Sequence, residues 1–135
     1  MAGEQKLSTI RMTVSGGKGE YALNDCSYSF YRNTDSTGKP VQFARAGAIE
    51  ISKMSSEDLT FLQWAASPSQ TKDGTITFYE SNTKSMRKID FKGGVVTSYS
   101  ESASGGGGIN MMERVSIYVK SLSCSGSTVN NEEKK

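Results

Sequence analysis

The chain has 135 residues, with 16 lysines and arginines against 14 aspartates and glutamates, no histidine and two cysteines. The length suits one domain with a buried core, and a net charge of +2 spread along the chain leaves no electrostatic footprint for nucleic acid or an anionic membrane. Without imidazole, Ser-His-Asp and Cys-His catalysis are excluded, two thiols alone cannot complete a zinc site, and no cofactor is implied.

Fourteen glycines and two prolines amid many serines and threonines favour strands joined by turns. Residues 1–6 have no apolar stretch and are expected to be a flexible N-terminus without a signal peptide. Residues 7–14 alternate, with Ile10, Met12 and Val14 on one face, as in a half-buried strand. After a glycine-rich turn at 15–19, residues 21–32 alternate again, with Cys26, Tyr28 and Phe30 on one side, completing an expected hairpin. Periodicity then lapses over 33–47, a loop rich in turn formers and longer than the usual two to about six residues, and loops of that length are commonly functional.

Residues 48–54 read as a strand with Ile49 and Ile51 inward and Glu50 and Ser52 outward. Ser55 is the expected cap of a helix whose first turn holds Glu57 and Asp58, in which Leu59, Leu62 and Ala66 fall on one stripe with Phe61, Trp64 and Ala65 beside it, and which Pro68 ends. Strands follow at 75–80 (Ile76 and Phe78 inward), 86–92 (Ile89 and Phe91), 95–101 and 111–122, with Gly93-Gly94 and the glycines of 105–108 between them. The last is apolar on both faces, through Met112, Tyr118 and Leu122 on the second, so it needs cover on both. Residues 7–124 thus form one mainly β domain of seven or so strands and one short helix, a closed or nearly closed barrel or a sandwich with the helix packed on one side. Residues 125–135 read as a polar, disordered tail.

No constellation points to catalysis. Residues 16–19 lack the strand-to-helix setting of a phosphate loop, and Glu57-Asp58 is explained by helix-start electrostatics. Cys26 and Cys124 stand far apart in the chain and read as small hydrophobes. Lys84, Lys88 and Lys92 share one strand face, either solvated or set along an anionic cargo.

The order of elements carries a resemblance. LNDCSYSFYR at 23–32 resembles the strand DCSYSFSR of the haemolysin-coregulated protein (Hcp) family, in particular its Bacteroidetes-type branch. DSTGKP at 35–40 followed by GAIEI at 47–51, LTFLQWA at 59–65, and MRKIDF at 86–91 with VVTSYSE at 95–101 resemble the family's loop and strand, helix and strand pair. The glycines of 105–108, the Met111-Met112 pair and the tail are less typical of it. The resemblance implies a mainly β fold, a two-sheet β-barrel of about seven to eight strands with one short helix packed alongside, serving as a non-enzymatic subunit of the type VI secretion inner tube: hexameric rings that stack into a tube propelled by a contractile sheath. Its implied partners are copies of itself, sheath and spike or baseplate proteins, and effectors carried in the lumen, with no nucleic acid and no membrane insertion. It would assemble in the cytoplasm and be secreted through the type VI system. By this resemblance Asp35, Lys39, Pro40, Phe43 and Arg45 are candidates for ring stacking, and Lys84, Lys88 and Lys92 for a lumen-facing or solvent face. A tail-tube protein of a phage-like contractile particle would share the fold, and a monomeric β-barrel binding module would need an apolar internal pocket.

Overall fold

Alternating apolar residues build the first strand, β1 (Ile10–Val14), which buries Met12 and Val14. The computed structural model describes residues 9–31, 45–46, 48–67, 69–81, 84–108, 110–124 and 127–130. After β1 come β2 (Tyr21–Ala22), β3 (Asp25–Ser27), β4 (Phe30–Tyr31), β5 (Arg45–Ala46), β6 (Ile49–Met54), the helix α1 (Thr60–Ala65), β7 (Lys72–Tyr79), β8 (Ser85–Ser104), β9 (Asn110–Tyr118), β10 (Ser121–Cys124) and β11 (Ser127–Asn130).

β8 is 20 residues long and belongs to two sheets. Its first half pairs with β7 on one side and β10 on the other, giving a sheet ordered β2-β1-β7-β8-β10-β11 (sheet I). Its second half pairs with β9 and leads into β8-β9-β6-β3 (sheet II). All ladders are antiparallel, and among the described residues the outer edges do not meet, so the two-sheet barrel stays open. One apolar cluster fills the interior: Met12, Ile76, Ile89 and Phe91 from sheet I, Ile49 and Ile117 from sheet II, with Phe61 and Trp64 of the helix. Burying each of these is worth about 1.5–3 kcal/mol.

The corner between the sheets is made by Gly93 and Gly94. They were expected to separate two strands, but β8 runs through them, because Gly93 adopts φ +65°, a bend that L side chains resist. The opposite chain turns with it: the expected strand over 111–122 ends at Tyr118 and resumes as β10, and the Lys120 amide donates to the Lys92 carbonyl at the corner. Val115, Ile117 and Val119 point inward before the corner and Leu122 after it. The two apolar faces of that stretch therefore record a change of sheet, not a strand covered on both sides.

A similar switch breaks the expected hairpin. Tyr21 and Leu23 are buried on odd positions, whereas Cys26 and Tyr28 are half-buried on even ones. The chain leaves β1 after Leu23, whose amide bonds the Ile10 carbonyl, and the Asn24 amide already bonds Ser52 of β6. Phe30, expected on the same side as Cys26 and Tyr28, is 39% exposed. Ser52, expected outward, is buried and donates to Asp25 across the β3–β6 ladder.

The helix starts later than Ser55, which instead donates to Glu101 at 2.7 Å. Its buried side chains are Thr60, Phe61 and Trp64, so the flank of the expected stripe carrying Phe61 and Trp64 turns inward, while Leu59 and Leu62 of the stripe are exposed. Aromatic rings bury more area than leucine, and that decides which face turns inward. Glu57 and Asp58 precede the first turn, and Pro68 lies outside the described residues. β7 begins at Lys72, three positions before the expected start. At the C-terminus, Ser127–Asn130 forms β11, in register with β10 from Ser121 opposite Asn130 to Cys124 opposite Ser127, so the expected disordered tail is paired over these residues.

Candidate assembly surfaces

The stretch without periodicity begins and ends at one place. β4 and β5 pair antiparallel, Phe30 opposite Ala46 and Tyr31 opposite Arg45, so the chain departs from Tyr31 and returns beside it. The outgoing leg is seated by aromatic contacts: the Tyr28 ring stands 6.3 Å from Phe30 in edge geometry and 6.1 Å from Phe78 of β7, each pair worth about 1 kcal/mol beyond burial. The Tyr28 hydroxyl lies 3.8 Å from the Cys124 sulfur, and burial together with that contact raises the phenol's pKa. Arg45 thus belongs to the root of the segment, whereas Asp35, Lys39, Pro40 and Phe43 lie outside the described residues.

The outward faces of both sheets are short and polar. On sheet II a groove of about 430 Å³ is lined by Ser27, Ser98, Ser100 and Ser116, with Glu50 and Arg114 among them. Another, of about 780 Å³, runs over sheet I past Thr13, Thr75, Asp90, Lys92, Ser121 and Ser123. Lys88 and Lys92 are exposed on β8, alternating with buried Ile89 and Phe91. Lys84 precedes the strand and pairs with Glu80 at 3.5 Å, both well exposed. The three lysines are therefore not one continuous strand row.

A buried polar network, not anticipated from the sequence, lies against the helix residues Thr60 and Phe61. Lys53 of β6 and Glu113 of β9 sit opposite each other in register, 3.4 Å apart, with side chains 5% and 2% exposed. Lys53 also donates to the Met54 carbonyl at 2.9 Å, and its ammonium lies 5.7 Å from the Tyr21 ring and 5.8 Å from Phe61. Glu113 accepts from the Tyr99 hydroxyl at 3.1 Å; burial, then the Glu113 charge, push the Tyr99 pKa up. Beside it Tyr21 donates to Asp58 at 2.6 Å, and Asp58 accepts from both the hydroxyl and the amide of Thr60. These bonds hold the Asp58 carboxyl down at about 2. Among the described residues every buried side-chain nitrogen and oxygen is hydrogen-bonded, and no cluster of acidic or thiol groups has the arrangement of a metal site. Lys53, Glu113 and Asp58 are thus each bonded to neighbours within the protein, which is structural chemistry. Cys26 and Cys124 are free and half-buried, and burial pushes the Cys26 thiol up to about 12.

The comparisons with known proteins agree with this architecture. A model of the family described as Hemolysin coregulated protein Hcp (TssD) matches residues 4–132. Among solved structures, Hcp1 from Flavobacterium johnsoniae is 22% identical with a TM-score of 0.78, over 91% of this chain and 99% of that one. Hcp1 from Salmonella typhimurium is 13% identical with a TM-score of 0.69, covering 89% of each chain. A chain in the baseplate of the anti-feeding prophage is 9% identical with a TM-score of 0.54, over 94% of this chain and 99% of that one. At these identities the likeness is one of fold. No curated protein matches the chain. The family match spans nearly the whole sequence, over the mainly β fold described above: the chain belongs to the haemolysin-coregulated protein (Hcp, TssD) family, structural tube subunits of type VI secretion rather than enzymes.

Proposed function

We propose that this chain forms hexameric rings that stack, through the segment between β4 and β5, into the tube driven by a contractile sheath, and that it leaves the cell with effectors in the lumen. The observation that carries the reading is the β4–β5 root: a strand pair outside the main sheets, seated on Tyr28, Phe30 and Phe78, from which residues 32–44 depart and to which they return. Contacts repeated around a ring transmit force without any one being strong, and head-to-tail interfaces close into rings when the rotation closes. In this reading Asp35, Lys39, Pro40 and Phe43 make the stacking contacts and Arg45 supports them from the root. The hydroxyl-rich grooves, with Lys88 and Lys92, suit a hydrated lumen that lets polar cargo slide. A phage-like tube shares the fold, but the family match favours the type VI assignment. A ligand-binding barrel is disfavoured because the interior is filled by fully buried side chains such as Met12, Ile76 and Ile117.

The test is size-exclusion chromatography with light scattering and negative-stain microscopy at high protein concentration. Rings of six subunits that stack are expected; a strictly monomeric protein without rings overturns the reading.

A further inference from the structure

The root of the 32–44 segment has a second support, on its returning side. The Cα trace of β11 passes within 8 Å of β5, although the two strands belong to different sheets. β11 is the outer half of a hairpin with β10, and β10 is bound to β8 with Leu122 opposite Phe91 and Cys124 opposite Ile89. On the departing side, Tyr28 reaches the same hairpin through Cys124, the last residue of β10. Both legs of the root therefore rest on one element, and that element is anchored in the core through Leu122, which is fully buried. A two-residue ladder such as β4–β5 is marginal in water by itself, so its position depends on what flanks it.

We propose that the β10–β11 hairpin is a clasp for the root of the stacking segment, so that the C-terminal strand sets how residues 32–44 are presented to a second copy of the chain. The clasp rests on the assignment of that segment to ring stacking, but the state of the root is measurable without it. A local opening is governed by the contacts around it and is read by amide exchange independently of global stability. Removing β11 frees the returning leg; the sheets keep their pairings, because among the described residues β11 is paired with β10 alone.

The experiment compares the full chain with a chain ending at Cys124, and with Thr128→Pro and Val129→Pro made separately. Only alternate residues of an antiparallel strand donate to a given partner, so one of these two prolines removes a backbone donor from the β10–β11 ladder, without shortening the protein. Hydrogen exchange is followed at Phe30, Tyr31, Arg45 and Ala46 against amides in β7 and β9. The expected result is exchange at the root about tenfold faster or more, with β7 and β9 unchanged, together with rings that persist and stack poorly. Unchanged exchange at the root in the shortened chain, or in both proline variants if the shortened chain does not fold, overturns the clasp. Failure of the full chain to form rings or tubes overturns the stacking assignment instead and leaves the exchange comparison to decide the clasp.

Discussion

Single residues are most informative where the backbone leaves no room. A Cβ on Gly74 would stand 2.5 Å from the Phe91 ring and 2.7 Å from the Thr13 carbonyl oxygen, a backbone atom that cannot swing away. Gly74→Ala is therefore expected to cost about 1–3 kcal/mol, read as a fall in the denaturant midpoint with the family fold retained; an unchanged midpoint would mean the sheet yields there. Asp58 makes a pH prediction. Its carboxyl sits at about 2 when folded against an ordinary 3.8, so between these values the unfolded chain binds more protons and stability rises with pH. Its contribution is complete above the ordinary value and disappears as pH falls towards 2. Asp58→Asn should accordingly flatten the acid limb of a stability profile taken from pH 5 to pH 2 and leave the rest of its shape alone. Cys26, raised to about 12 by burial, stays a neutral thiol at pH 8. Its alkylation followed by mass spectrometry should be slow in native protein and fast in denaturant; equal rates would show that β3 opens readily. The Cys26 alternation was legible in the sequence, but the crowding at Gly74 was not, since Phe91 reaches it only by pairing across β7 and β8.

Elements depend on partners that are distant in the chain. Lys53 and Glu113 lie 60 positions apart and face each other because β6 and β9 pair in one register. Breaking a buried pair strands a charge, so Lys53→Met alone is expected to cost about 3–5 kcal/mol, whereas joining it to Glu113→Leu should recover most of that loss. Thermal melts of the two single variants and the double variant check this, and additive losses would show that the pair does not act as a unit. In the sequence, Lys53 reads as one more polar position at a strand end, and no periodicity announces a buried ammonium. The helix shows the opposite limit. Its existence was legible at 59–66, but its orientation was set by Phe61 and Trp64 competing with Leu59 and Leu62 for one contact surface. Replacing 33–44 by a Gly-Ser linker, which spares the β4–β5 root, is expected to preserve rings and abolish stacking under the electron microscope. Loss of the fold would mean that the segment is packed against the barrel.

At the scale of the whole molecule, β2, β11 and β3 are unpaired on their outer sides among the described residues, and open edges invite pairing with other chains. Ring closure between copies would cover such edges, which fits a subunit that works only in numbers. The absence of histidine excluded Ser-His-Asp and Cys-His catalysis, the balanced charge left no electrostatic footprint for nucleic acid, and the period-two runs carrying Met12, Ile49, Ile76, Ile89 and Ile117 determined a β domain with an apolar interior. The ordered motifs were enough to place that domain in its family. Those properties are local, because alternation and turn chemistry are written into neighbouring residues. Where the chain changes sheets was decided only by the tertiary structure. The parity shifts after Leu23 and after Val119 look in sequence like imperfect alternation, and Gly93-Gly94 looks like a turn. A strand bends at a corner rather than ending there only when the strands on both sides turn with it, and that agreement is made by residues far apart in the chain meeting across the barrel.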